Sequence, residues 1–108
     1  MLKKKKIAII GGGKMGSIIA QGLLSRKTIS GKDLTVTDVD ADRRKWLSSE
    51  LGLQTSGENR ATVMNADIVI LAVKPQNMAQ TLQEIAPAID KSKLPVTVGP
   101  FAIINSIR

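Results

Sequence analysis

The chain has 108 residues and a formal net charge of +7, with 43% hydrophobic and 23% charged residues, which is the balance of one ordinary globular domain. It contains no cysteine, no histidine and no tyrosine. We therefore expect no disulfide, no thiolate or imidazole metal site and no nucleophilic triad. We therefore assign no metal-ligating residue and no catalytic residue in this sequence.

The first six residues form a basic N-terminal tail, residues 1–6, whose four consecutive lysines end at Lys6. A basic tail can bind nucleic acid or an acidic membrane surface. We favour a solvated run that blunts the start of a strand, because the chain has only Trp46 and Phe101 for base stacking. No apolar stretch is long enough for a membrane helix or the core of a signal peptide. We expect a cytoplasmic protein with no nucleic-acid and no membrane partner.

Short apolar or β-branched runs alternate with helical patterns along the chain. The runs predict strands over residues 7–10, 34–37, 53–55, 68–73 and 94–98. Helices are predicted after the glycines at residues 11–13, over residues 41–51, over residues 59–65, and from Pro75 to Ile85 or Ala88. The alternation predicts an α/β, Rossmann-like, doubly wound fold with a mainly parallel sheet and the first strand central. We assign residues 7–99 to this single domain.

Three of the four predicted helices have residues that we expect to pack against the sheet. In the first helix the packing residues are Met15, Ile18, Ile19, Leu23 and Leu24, and Gly22 is expected to allow a close approach to the sheet. For the second they are Trp46, Leu47 and Leu51, between an N-cap at Asp40 and an end at Gly52. For the short third helix they are Ala61 and Met64.

The segment Gly11-Gly12-Gly13-Lys14-Met15-Gly16 lies between the first strand and the first helix. Gly11 permits a tight turn, Gly13 keeps side chains away from a phosphate, and Gly16 lets the helix pack near the strand. Gly12 and Lys14 take the free positions, and Lys14 can add a positive charge. A plain loop or an S-adenosylmethionine site can share this pattern, but the strand–helix context favours a dinucleotide pyrophosphate on the helix N-terminus.

Asp38 stands at the end of the second strand, where a carboxylate can accept hydrogen bonds from the adenine ribose and repel a 2′-phosphate. This favours NAD weakly. Arg43 and Arg44 follow and could neutralise that phosphate instead, which would favour NADP. Surface positions on the second helix explain the two arginines equally well.

The end of the fourth strand, Ala72-Val73-Lys74-Pro75, is expected to face the nicotinamide side of the cleft. Lys74 could be a general acid there. We favour a charged strand-end residue, because no partner that would lower its pKa is visible in the sequence.

These motifs together resemble pyrroline-5-carboxylate reductase. The resemblance rests on the glycine turn with Met15, the Gly22-Leu23-Leu24 helix end, Asn59, and the segment from Ala66 to Gln76. It extends from Ile7 to about Pro95, and the Ala-Val-Lys-Pro segment with the upstream Asn is its most specific part. Enzymes similar to 6-phosphogluconate dehydrogenase share the glycine turn but usually differ after the fourth strand.

The resemblance implies reduction of 1-pyrroline-5-carboxylate to L-proline, the last step of proline biosynthesis, with NADP or NAD as cofactor. It also implies cofactor contacts at Gly11 to Gly16, Asp38, Asn59 and Ala72 to Pro75. Hydride transfer to an activated C=N bond mainly needs two molecules held face to face, which suits a chain without histidine or metal ligands.

Two departures from the family are visible. Gly99-Pro100-Phe101 stands where the family has a small Ala-Ala-Gly turn. The resemblance also implies a helical C-terminal domain that forms the dimer and most of the imino-acid pocket, and we expect this chain to lack it. We expect residues 100–108, an apolar tail, to be the truncated start of that part, and the chain alone to bind cofactor without turnover. A non-catalytic NAD(H)-sensing module and another reductase of the superfamily stay open. So does self-association as a homo-oligomer through an exposed sheet edge and the apolar tail.

Overall fold

The computed structural model describes residues 5–27 and 29–89, and the backbone alone of residues 94–97. Most of the predicted basic tail, Val98, the Gly99-Pro100-Phe101 departure and the apolar tail lie outside the described residues. The division into a tail of residues 1–6, a domain of residues 7–99 and a tail of residues 100–108 therefore stays a prediction.

All five predicted strands are present, and they form one parallel sheet in the order β3-β2-β1-β4-β5. Their bounds are β1 (Ile7–Ile10), β2 (Leu34–Thr37), β3 (Gln54–Ser56), β4 (Ile68–Leu71) and β5 (Leu94–Thr97). The predicted parallel, doubly wound fold with a central first strand is confirmed. β4 ends two residues earlier than predicted because its ladder partner β1 stops at Ile10, opposite Leu71.

Four α-helices lie among the described residues: α1 (Lys14–Ser25), α2 (Ala41–Leu51), α3 (Asn59–Met64) and α4 (Pro75–Ile85). Asp40 caps α2 as predicted, because its side chain accepts a hydrogen bond from the Asp42 amide, and Gly52 ends α2 in a left-handed conformation. None of the described helices is both long and apolar enough to cross a lipid bilayer.

The core has two halves, one on each face of the sheet, because successive side chains of a strand point to opposite faces. Ile7 and Ile9 of β1 belong to the half that α1 and α2 cover, while Ala8 and Ile10 belong to the half that α3 and α4 cover. All four of these side chains are buried. Helices on both faces make β1 a fully buried central strand, as its continuous apolar run predicts.

The predicted packing face of α1 is partly wrong. Met15 is 41% exposed and Ile18 is 54% exposed, whereas Gly16 and Ala20 are buried against the sheet. The helix approaches β1 so closely that small residues occupy the contact, and the larger Ile19, Leu23 and Leu24 pack at its side. Gly22 is not a point of close approach in the described part of the chain, because no heavy atom from outside its own helical turn lies within 4 Å of the position that its Cβ would take.

Two other expected core contacts are also wrong. Trp46 is 43% exposed, so α2 packs through Leu47 and Leu51 only. On α3 the buried residue is Val63, while Ala61 and Met64 face outward. In α2 one expected residue, Trp46, lies about 100° around the helix from the buried Leu47. In α3 both expected residues face outward, because so short a helix gives the sequence pattern little periodicity.

Candidate dinucleotide-binding site

A cavity of about 440 Å³ opens at the carboxyl ends of β1, β2 and β4. Its volume is in the range of small-molecule sites, and its position matches the place where parallel α/β sheets bind ligands. Many of the residues predicted from the sequence meet there: Gly11, Gly12, Gly13, Asp38, Asn59, Ala72, Val73 and Lys74. The cavity is therefore the candidate site.

Gly11 makes the turn out of β1. Its φ of +112° is a conformation that residues with side chains rarely adopt, and an added Cβ would lie 2.6 Å from the Ala72 carbonyl oxygen. Gly16 faces the same turn from α1, and a Cβ there would collide with the Gly11 carbonyl. The tight turn at Gly11 and the close packing of α1 at Gly16 are as predicted, and the turn also lies against the chain just after β4.

Gly13 is the N-cap of α1, and its surroundings are open. Apart from its chain neighbours, no heavy atom of the described residues lies within 4 Å of the position that a Gly13 Cβ would take. No side chain caps the helix, and no acidic residue lies in its first turn. The first amides of α1 are therefore available to an anion, with a helix dipole of the favourable sign.

Gly12, predicted to be a free position, is in fact constrained. It is buried, its amide donates to the Asp38 Oδ2 at 3.2 Å, and its carbonyl accepts from the Arg43 Nε at 2.7 Å. An added Cβ would lie 2.7 Å from Leu47, a fully buried side chain. Because the loop packs directly on α2, Gly12 is fixed from three sides. The pattern of a glycine turn does not reveal this contact.

Asp38 lies at the end of β2 and is half-buried. Its Oδ1 accepts a hydrogen bond from the Asp40 amide at 2.9 Å, while its Oδ2 takes the Gly12 amide. The carboxylate therefore ties the glycine turn to the loop that leads into α2. Next to it, Thr37 also lines the cavity, and its buried hydroxyl has no hydrogen-bond partner among the described residues.

The other predicted site residues lie at the edge of the cavity or outside it. Lys14 and Met15 are exposed and do not line the cavity, and Gly16 lies beneath it. Lys74 lines the cavity and is the N-cap of α4, while Pro75 begins that helix outside the cavity lining. Lys74 is exposed and its carbonyl accepts the Asn77 amide at 2.9 Å. Whether the Lys74 side chain is a general acid or only a charged residue at the strand end stays a prediction.

The opposite wall of the cavity comes from α3 and α4. Asn59 lies there, and its Nδ2 donates to the Glu84 Oε1 at 3.0 Å. The sequence reasoning missed the polar residues of α4 in this wall, which are Asn77, Gln80, Thr81 and Glu84. Their spacing of three, four and seven residues is that of one helix face, so a polar stripe on α4 was the signal that could have found them.

Comparisons with known proteins agree with this geometry. The family described as NADP oxidoreductase coenzyme F420-dependent matches residues 6–99. The pyrroline-5-carboxylate reductase of Methanosarcina acetivorans is 34% identical over 98 residues, which are 91% of this chain and 36% of that protein. The predicted resemblance to the cofactor-binding part of such reductases is thereby confirmed.

Solved structures show the same relation. A pyrroline-5-carboxylate reductase from Coxiella burnetii superposes with a TM-score of 0.78 at 29% identity, over 90% of this chain and 37% of that one. The Plasmodium falciparum pyrroline carboxylate reductase, solved with NADP bound, has the same fold, with a TM-score of 0.78 at 24% identity over 91% of this chain and 34% of that one. The chain thus spans about a third of the length of these relatives.

Proposed function

The chain belongs to the family described as NADP oxidoreductase coenzyme F420-dependent, and from this premise we propose that it is the NAD(P)H-binding part of a reductase that converts 1-pyrroline-5-carboxylate to L-proline. The observation that carries the proposal is the glycine turn. Gly13 leaves an open space in front of the α1 amides, at the mouth of a cavity where β1, β2 and β4 end. The similarity of the chain to pyrroline-5-carboxylate reductases supplies the reaction.

The residues of this chain bind and orient the cofactor. The amides at the start of α1 would hold the pyrophosphate, because their N–H groups have no partner within the helix. Asp38 and the end of β2 would lie along the adenine ribose, and Asn59 with the segment Ala72 to Pro75 would lie along the other half. When bound, NADPH or NADH supplies a hydride, and the residues around it fix which face of the nicotinamide is open.

The imino acid must be held by other parts of a full-length enzyme. The described cavity has room for part of a dinucleotide, and the chain spans about a third of the relatives' length. We therefore infer binding without turnover for this chain alone. A cytoplasmic location and a homo-oligomeric state are further proposals, the second supported by the exposed apolar side chains of Met15 and Ile18 on α1.

Calorimetric titration of the chain tests the proposal directly. We expect NADPH or NADH to bind with a Kd well below about 1 mM, and S-adenosylmethionine to bind far more weakly. In the same samples, 1-pyrroline-5-carboxylate should produce no oxidation of NADPH or NADH followed at its nicotinamide absorbance. Tighter binding of S-adenosylmethionine than of either dinucleotide would overturn the assignment of the cofactor. Robust oxidation of NADPH or NADH would overturn the claim that this chain lacks turnover.

A further inference from the structure

A second cavity lies toward the edge of the sheet opposite to the candidate cofactor site. It has a volume of about 380 Å³ and opens beside α3, where β1 and β2 begin. We call it the amino-end cavity. Among the described residues, none lines both this cavity and the first one. Its polar lining includes Lys6, Lys32, Thr35, Gln54, Thr62 and Asn65.

The amino-end cavity exists because α3 covers only part of its face of the sheet. The helix has six residues, and it packs on β1 through Val63 and, just after its end, Ala66. Thr35 of β2 pairs with Ala8 of β1 and with Gln54 of β3, so these three side chains lie on the same face of the sheet. The face is therefore apolar under α3 and polar over β2 and β3, which leaves a polar hollow next to the helix.

The two amide side chains of the cavity are fixed through their nitrogen atoms. Gln54 Nε2 donates to two main-chain carbonyls around the start of β2, both at 2.9 Å. Asn65 Nδ2 donates at 3.1 Å to a carbonyl one turn earlier in α3. Each amide oxygen keeps its capacity to accept a hydrogen bond, and the hydroxyls of Thr35 and Thr62 can both donate and accept. The lining therefore suits a ligand that carries several hydroxyl groups.

Two lysines give the cavity a positive rim. Lys6 directly precedes β1 and Lys32 lies in the turn before β2, and both are exposed. Asp33 is the only carboxylate of the described lining, so the formal charge of two lysines and one aspartate is +1. The nearby Asp67 carboxylate accepts the Lys6 amide at 2.9 Å and does not line the cavity. A positive rim above a polar floor favours an anion over a neutral or cationic ligand.

We propose that the amino-end cavity binds a small polyhydroxylated anion, a sugar phosphate or a sugar acid, with its anionic group at Lys6 and Lys32. The hydroxyl groups of the ligand would lie against the polar side chains of β2, β3 and α3. This site goes beyond the proposed function and does not depend on it. Since the two cavities share no lining residue, the anion and a dinucleotide bind at the same time.

Amide chemical shifts of an isotope-labelled chain locate the ligand and give its affinity. Ribose 5-phosphate and ribonate are the two anionic probes, and ribose is the neutral control. We expect at least one of the anions to shift the Gln54, Thr62 and Asn65 amides, also in the presence of saturating NADPH. Its Kd should be at least about tenfold lower than that of ribose.

Two results of this titration would overturn the site. One is equal affinity for ribose and for both anions, which would leave the lysine rim without a role. The other is a set of shifts confined to Gly12 and Gly13, which would place the anion at the N-terminus of α1 instead. Shifts with only one of the two anions would support the site and identify the anionic group that it takes.

Substitution of the rim lysines tests the recognition of charge. Lys6→Ala and Lys32→Ala should each weaken binding of the anion about three- to tenfold, while Lys32→Arg keeps the charge and should stay within about threefold of the wild-type affinity. Lys45→Ala is the matched control, because Lys45 is an exposed lysine of α2 that lines neither cavity. Its effect should stay within about twofold.

Equal losses in the Lys32→Ala and Lys45→Ala variants would overturn the site. The affinity for NADPH should be the same in all four variants, because the substituted residues lie outside the first cavity. A chain that binds NADPH but neither sugar anion would overturn this inference alone. A chain that binds a sugar anion but no dinucleotide would overturn the proposed function alone.

Discussion

The two walls of the cavity are built in different ways. The glycine wall, residues 11–13 with Asp38, is held through backbone amides: the Gly11 amide donates to the Thr37 carbonyl at 3.1 Å, and the Gly12 amide donates to the Asp38 carboxylate. The helix wall, formed by α3 and α4, presents polar side chains such as the hydrogen-bonded Asn59–Glu84 pair to the cavity, while both helices pack on the sheet through other residues. Changes in the glycine wall must therefore move the backbone, whereas the helix wall can change one side chain at a time.

The largest effect is expected for Gly16→Ala, directly beneath the glycine wall. The added methyl group collides with the Gly11 carbonyl, so α1 must move away from β1. Although alanine favours the helix, we expect the free energy of unfolding to fall by about 2–4 kcal/mol. Urea denaturation measures this, and Gly22→Ala is the control, because the space around Gly22 is open and the change should stabilise the chain by about 0.5–1 kcal/mol. Equal stability of the two variants would break the comparison.

A smaller effect is expected for Asp38→Ala. The substitution leaves the Gly12 and Asp40 amides without their acceptor, which should lower the free energy of unfolding by about 1–2 kcal/mol. Asp38→Asn keeps an oxygen acceptor for one amide and should lose about half as much. The urea denaturation midpoints of the two variants measure these losses. If Asp38→Ala leaves the midpoint unchanged, the carboxylate does not hold the glycine wall.

The smallest effect is expected in the helix wall. Glu84→Ala removes an exposed hydrogen bond to Asn59, so the free energy of unfolding should change by less than about 0.5–1 kcal/mol. Affinity for NADPH should change by only a few fold. Glu50→Ala on α2 is a control for the loss of one exposed carboxylate. If Glu84→Ala lowers the free energy of unfolding as much as Gly16→Ala does, the helix wall does not tolerate single side-chain changes better than the glycine wall.

Much of the glycine wall could be predicted because backbone geometry leaves a clear mark in the sequence. A positive φ at Gly11 and a close approach at Gly16 both require glycine, and both residues follow a buried strand. The sheet order could be predicted for a related reason, since alternating strands and helices allow few crossover arrangements.

The rest depends on packing between distant segments, which local patterns do not contain. Gly12 is constrained by Leu47, far along the chain, and Trp46 is drawn to Arg43 instead of the core. The contact of α1 is made by Gly16 and Ala20, so reading the large apolar residues Met15 and Ile18 as the packing face was wrong. In the sequence alone, small residues such as these cannot be recognised as a packing contact, because the strand that they contact is not known.

The central claim is that Gly13 leaves the α1 amides open to a dinucleotide pyrophosphate, and one pair of variants tests it. Gly13 and Gly22 both have open surroundings, so valine should be tolerated at either position with little change in the urea midpoint. In a calorimetric titration with NADPH, Gly13→Val should weaken binding by at least about tenfold, while Gly22→Val should bind like the wild-type chain. Wild-type affinity in a folded Gly13→Val variant would contradict the account.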